Sequence, residues 1–220
     1  QALPGSATLL KLARALDVRA EYFFRPTRIT LGSVEYRKRA RLPQKQINRV
    51  THDVLEQVER WVELLDLYPD SLQPVPDFVI PPEVPDRIKV VEGVDAVAAA
   101  LRKAWALGDA PIASLVEVLE DNGLIVVFTQ HDTDQKFDGL ACTVSARAVI
   151  VVSGAQPGDR QRFTLAHELG HLVLHGRLAA DIDEEAACHR FAGALLLPCA
   201  ALTRELGAKR RALDPRELYA

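Results

Sequence analysis

Arg162-Phe163-Thr164-Leu165-Ala166-His167-Glu168-Leu169-Gly170-His171-Leu172-Val173-Leu174-His175 is the stretch on which the reading of this chain turns. Apolar residues at Phe163, Leu165, Ala166, Leu169, Leu172, Val173 and Leu174 have the spacing of a mostly buried helix over about 160–175. Asp159 is expected to cap its start and Gly176 to end it. His167 and His171 are four apart, so on a helix their imidazoles stand on one face. Two histidines and a glutamate in a buried helix are costly unless they are satisfied. A single zinc ion would satisfy all three. Imidazole nitrogens bind zinc at about 2.0–2.1 Å, and Glu168 is placed to take a proton from water held there. The plainer alternative is a pair of core histidines hydrogen-bonded to backbone. The H-E-x-x-H spacing favours the metal, in the arrangement expected of a zinc-dependent peptidase.

A catalytic zinc takes three protein ligands and keeps a fourth position open. The third is expected from the next helix, Asp183-Glu184-Glu185-Ala186-Ala187-Cys188-His189-Arg190-Phe191-Ala192-Gly193-Ala194-Leu195-Leu196-Leu197-Pro198. Its acidic start suits the positive end of the helix dipole, Leu195–Leu197 read as core, and Pro198 marks a stop. Glu185 is the expected third ligand, with Glu184 or Asp183 as alternatives. For such acids, simple capping and solvation is the competing reading. His189 lies four residues beyond Glu185 on the same face and is a candidate catalytic group. Glu168 is the expected base, moving a proton from water to the leaving amine. His189, His175 and His131 are candidates to stabilise an oxyanion, and His175 reads more as a supporting or surface histidine than as a ligand. A purely structural zinc domain fits less well, because structural sites usually close with four ligands.

These segments, with Phe191-Ala192-Gly193-Ala194-Leu195-Leu196-Leu197-Pro198, resemble the ImmA/IrrE family of metallopeptidases. That family combines an H-E-x-x-H helix with a helix that opens on a ligand glutamate and closes on a leucine run and proline. The resemblance implies an α+β, zincin-like domain with a small mixed or antiparallel sheet, preceded by a helical N-terminal segment. By position it makes His167, His171 and Glu185 the zinc ligands and Glu168 the base. Phe137-Asp138-Gly139 also resembles a family motif on a strand near the cleft. The family usually has Asn or Asp where this chain has His189, which leaves His189 open as a group supporting the ligands, an alternative ligand or a proton donor. A protein substrate such as a transcriptional repressor is implied, while the residues themselves say nothing of cleavage specificity.

The N-terminus carries a second resemblance. Thr8-Leu9-Leu10-Lys11-Leu12-Ala13-Arg14-Ala15-Leu16-Asp17-Val18 and Ala20-Glu21-Tyr22-Phe23-Phe24 are similar to the last two helices of an XRE-type helix-turn-helix domain. An unrelated two-helix cap is the competing reading. The chain starts at Gln1 and contains no methionine, so it reads as a piece of a longer protein whose DNA-reading helices are absent. The C-terminus likewise reads as cut, after a helix start at Asp214-Pro215. The expected whole is a DNA-binding regulator fused to a peptidase. Alternatives are a latent or toxin-like protease of a two-gene toxin–antitoxin module, and a regulator that uses the peptidase fold as a sensor.

Composition agrees with a globular chain. Its 220 residues are 48% hydrophobic and 26% charged, enough for one sizeable core and an appendage. No apolar run is long enough to span a bilayer, and no signal peptide pattern is present. Cys142, Cys188 and Cys199 are odd in number and lack C-x-x-C spacing, which argues against a disulfide framework and for a cytoplasmic setting. Cys142 and Cys188 read as small buried hydrophobes rather than ligands. A net charge of −3 does not mark a nucleic-acid binder overall, so DNA is an expected partner only through the helix-turn-helix part.

The organisation reads as a helical remnant over 1–26, a linker over 27–85 and a peptidase domain over 86–220. Within the linker, Arg37-Lys38-Arg39 and Arg41 form a basic cluster that fits a solvated surface better than a DNA contact. A helix is expected over 43–68, with Pro43 at its first turn and an apolar stripe through Ile47, Val50, Val54, Val58, Trp61, Leu65 and Tyr68. It reads equally as a helix packed on the peptidase core and as a spacer or homodimer helix. A proline-rich stretch follows to Pro85. Helices are expected over 94–107 and 111–122, the second with Pro111 at its first position, and strands over 124–129, 140–144 and 148–152. A C-terminal tail is expected over 203–219.

Overall fold

The computed structural model describes residues 4–24, 44–65, 67–68, 76–130 and 137–207. The basic cluster near Arg37, the prolines at 69 and 74, His131 and the tail beyond 207 lie outside the described residues. The chain divides into two compact units, Gln1–Thr30 and Leu31–Ala220.

The first unit holds helix α1 (Ser6–Ala15) and a 3-10 helix over Ala20–Phe24. Ala13 is buried, whereas Leu10, Leu12, Leu16 and Phe24 are exposed.

The second unit is an α+β arrangement with a small mixed sheet. Its elements are α2 (Gln44–Leu65), α3 (Gly93–Ala104), α4 (Leu115–Asp121), β1 (Ile125–Thr129), β2 (Gly139–Val144), β3 (Arg147–Ser153), α5 (Gly158–Leu174), α6 (Glu184–Leu196) and α7 (Cys199–Leu206). The strand order is β1-β3-β2. β1 runs parallel to β3, with Val127 opposite Val151, and β2 runs antiparallel to β3, with Cys142 opposite Val149. Alternation along β3 sends Ile150 and Val152 to one face and Val149 and Val151 to the other. All four are fully buried, as a central strand covered on both faces requires.

The main core gathers Ile150 and Val152 with Val97 and Leu101 of α3, Leu165 and Leu169 of α5, and Phe191 and Leu195 of α6. α2 lies against β1, with Val50, Val54 and Val58 buried. The Gln57 side-chain amide reaches the Phe128 carbonyl at 3.4 Å, and the Arg147 guanidinium sits 5.4 Å from the Trp61 ring centroid. The apolar stripe of this helix therefore packs on the sheet. Tyr68, expected at its end, falls beyond Leu65 and is exposed. The end of the proline-rich stretch is tied in as well: Ile88 pairs with Leu178, and Val84 and Ile88 are buried.

The helix expected over 94–107 spans Gly93–Ala104 and stops short of Leu107, where Ala106 takes a positive φ of 52°. Other helix boundaries also differ from expectation for local reasons. Asp159 does not cap α5. Pro157 holds the extended N-cap conformation, and Asp159 falls inside the first turn, where its charge faces the helix dipole. α4 begins at Leu115 rather than Pro111, because the Ser114 hydroxyl accepts from the Glu117 amide at 3.3 Å, the Ser-x-x-Glu start of a capping box. Pro198 ends α6 but also serves as the N-cap of α7, so a helix over Cys199–Leu206 runs into the tail expected from 203.

Candidate metal centre

α5 and α6 build the centre between them. Gly170 allows their close crossing: a Cβ there would lie 3.1 Å from Phe191 Cδ1 and 3.3 Å from Cys188 Cα. A larger residue in the H-E-x-x-H helix would push α6 away.

His167, Glu168 and His171 are all buried on α5. The Nε2 atoms of His167 and His171 face each other at 3.3 Å. Glu185 of α6 completes the group, with one oxygen 3.7 Å from His167 Nε2 and the other 3.8 Å from His171 Nε2. Donor atoms bound to one zinc at about 2.0–2.1 Å in a tetrahedron stand about 3.4 Å apart. The two nitrogens and the carboxylate fit that spacing closely, and with both Nε2 atoms unprotonated a shared cation satisfies the pair. The donor set therefore suits zinc, with two imidazoles and one oxygen.

The acids that open α6 take different positions. Asp183 is the N-cap, its carboxylate accepting from the Ala186 amide at 2.7 Å. Glu184 turns to the far side of His171, with Oε1 3.2 Å from Nδ1. Glu185 faces the Nε2 pair. Cys188 is buried, with Sγ 3.3 Å from His171 Nδ1. The sequence reading treated Cys188 as a small apolar filler and did not anticipate this contact.

Glu168 and His167 line an open cleft of about 420 Å³ with Phe137, Asp138, Gly139, Arg160, Phe163, Thr164, Glu185 and His189. His189 is exposed at the rim. Its ring lies 4.4 Å from that of His167 and stacks on Phe163 at 5.8 Å. His175 is the exposed C-cap residue of α5 and does not line the cleft. Asp138 pairs with Arg160 at 2.7 Å at the cleft edge, and its carbonyl accepts from the Ser153 amide. Gly139 brings β2 onto α5: a Cβ there would fall 2.9 Å from the Val151 carbonyl and 3.3 Å from Glu168 Cγ. Phe163, Thr164, Arg160 and the Asp138–Arg160 pair were not singled out from the sequence as site residues. Phe137-Asp138-Gly139 was the one signal pointing toward them.

Cys142 lies on β2, where burial pushes its thiol pKa up to about 12, helped by the charge of Glu168. It stays a neutral thiol at ordinary pH. None of the three cysteines is in a disulfide.

Residues 122–218 match the family model of the IrrE N-terminal-like domain, a peptidase family, and this span takes in the three strands and helices α5 to α7. Among individual proteins, the chain is similar to the radiation response metalloprotease IrrE of Deinococcus radiodurans, with 32% identity over 152 residues. That alignment covers 60% of this chain and 45% of the relative, so the chain spans less than half of its relative's length. Among the described residues no single helix is long and apolar enough to cross a membrane.

Proposed function

We propose that the second unit is a zinc-dependent endopeptidase of the ImmA/IrrE type, with a zincin-like fold, that cleaves a regulatory protein such as a transcriptional repressor. The observation that carries this reading is the convergence of His167 Nε2, His171 Nε2 and the Glu185 carboxylate beside buried Glu168 in an open cleft. The similarity to a metalloprotease supports it.

His167, His171 and Glu185 would hold the metal beside the cleft. Bound zinc supplies Lewis acidity, polarising the scissile carbonyl and making water a better nucleophile. Glu168 takes the proton of the attacking water and delivers it to the leaving amine. His189, at the rim above His167, is the group placed to donate to the developing oxyanion. An extended substrate segment pairs with the outer edge of β2 beside Gly139, adding a strand by main-chain hydrogen bonds. The separate N-terminal unit, with its resemblance to the end of a helix-turn-helix domain, links this activity to DNA-binding regulation in the cytoplasm.

The test compares wild type with Glu168→Gln and His171→Ala on an unfolded protein substrate, with zinc content measured on the same samples. The glutamine variant should keep about one zinc and lose hydrolysis, and the alanine variant should lose both. Undiminished proteolysis by Glu168→Gln would remove the base from this reading.

A further inference from the structure

We infer that Glu184 is the positioning residue for the metal ligand His171. It would hold the imidazole by its Nδ1–H so that the Nε2 lone pair points at the metal. The inference rests on the metal site proposed above and assigns a further residue to it.

Three successive acids begin α6, and geometry separates them. Asp183 already caps the helix through the Ala186 amide, so the cap does not need Glu184. Glu185 faces the Nε2 atoms of both histidines. Glu184 instead meets His171 at the other ring nitrogen, at 3.2 Å. One helical residue is a rotation of about 100°, so neighbouring glutamates reach opposite edges of the same imidazole.

A carboxylate only accepts, so its partner nitrogen must carry the proton. Neutral imidazole has a single N–H. Placing it on Nδ1 leaves Nε2 as the bare acceptor, the form that binds a metal. Cys188 Sγ also stands 3.3 Å from Nδ1, but a thiol is a weak acceptor and a weak donor beside a carboxylate. Outer carboxylates of this kind orient a ligand histidine and raise its basicity, and their loss typically weakens metal binding by about 10–100-fold.

The arrangement has a competitor in the same atoms. His171 Nδ1, Glu184 and Cys188 form a second donor group of ligand-like size. A metal seated there would make Glu184 a direct ligand and use Cys188 as a thiolate. The ring can serve one face or the other, and the Nε2 face has the second histidine and the open cleft.

The experiment titrates zinc against a chromophoric chelator in the metal-free chain, for wild type, Glu184→Gln, Glu184→Ala and Cys188→Ala. Each protein is also loaded with cobalt for its absorption spectrum and melted without metal. We expect Glu184→Ala to bind zinc about 10–100-fold more weakly while melting like wild type without metal. Glu184→Gln keeps an acceptor oxygen and should recover part of the affinity, which also secures the result if the alanine variant folds poorly. Cys188→Ala should keep its zinc, and no cobalt form should show thiolate charge-transfer absorption. Wild-type affinity in both Glu184 variants would overturn the assignment and leave the metal site standing. Thiolate absorption in the wild-type cobalt protein, abolished in Cys188→Ala, would move the metal to the Nδ1 face and overturn it as well. Failure of wild type to bind either metal would overturn the site reading and this assignment together.

Discussion

Gly139 stands so close to Thr164 that a Cβ on the glycine would meet Thr164 Cγ2 at 2.5 Å. This contact sets how closely β2 approaches α5, and so the width of the cleft that Glu168 lines. Gly139→Ala should therefore damage both fold and function. The overpacking should cost about 1–3 kcal/mol in urea unfolding, with a larger relative loss of peptidase activity in the fraction that remains folded. Wild-type stability and activity in this variant would show that the strand can shift freely.

His189 offers a cleaner functional test, because it is exposed and touches His167 only through its ring. His189→Ala should retain one zinc per chain and melt like wild type. Its kcat should fall about 100-fold, the scale of removing one oxyanion donor. A kcat within about twofold of wild type would take His189 out of the chemistry.

Arg102 is a stability test remote from the cleft. Its buried guanidinium donates to the carbonyls of Gly108, Leu195 and Ala110 at 2.8, 2.5 and 2.7 Å, tying α3 to the end of α6. Burial pulls its pKa below the ordinary value, and Asp109 partly offsets this. Arg102→Met should fill much of the space but leave those carbonyls unsatisfied, at a cost of about 3 kcal/mol. Equilibrium unfolding should show a lower midpoint with an unchanged slope.

The cysteines should differ sharply in reactivity. Cys199 is exposed, Cys188 is buried, and Cys142 is buried with a pKa of about 12. Thiolate is the reacting form, so at pH 8 Cys142 supplies almost none. Brief iodoacetamide treatment followed by mass spectrometry should find one modification on the native chain, absent in Cys199→Ala, and three in urea. Rapid native labelling of Cys142 would contradict its burial.

Much of the second unit was legible because its strongest signals are local. The apolar spacing of Phe163 to Leu174 marks a buried helix, and runs such as Val149-Ile150-Val151-Val152 mark strands. The i,i+4 spacing of His167 and His171 places both rings on one helix face whatever surrounds it. Local signals also competed. Pro111 looked like a helix start, but the Ser114–Glu117 cap begins three residues further on and took precedence. Pro198 read as an end, yet the same extended conformation that closes α6 opens α7.

The role of the 44–65 helix needed the tertiary structure, since an apolar stripe can pack on its own core or on a second copy. Burial of Val50, Val54 and Val58 and the contact with β1 place it on its own sheet.

The sequence by itself determined that His167 and His171 share one face of a buried helix with Glu168 beside them, because these follow from spacing along a single chain segment. Tertiary structure decided the rest. Whether Glu184 or Glu185 faces the histidine Nε2 atoms depends on how α6 is rotated where it crosses α5. That rotation is set by Gly170 against Phe191 and Cys188, contacts about twenty residues apart in sequence. The parallel pairing of β1 with β3 and the fit of Gly139 over Glu168 likewise join distant segments. A single segment's pattern records which face it buries, but not what it is buried against.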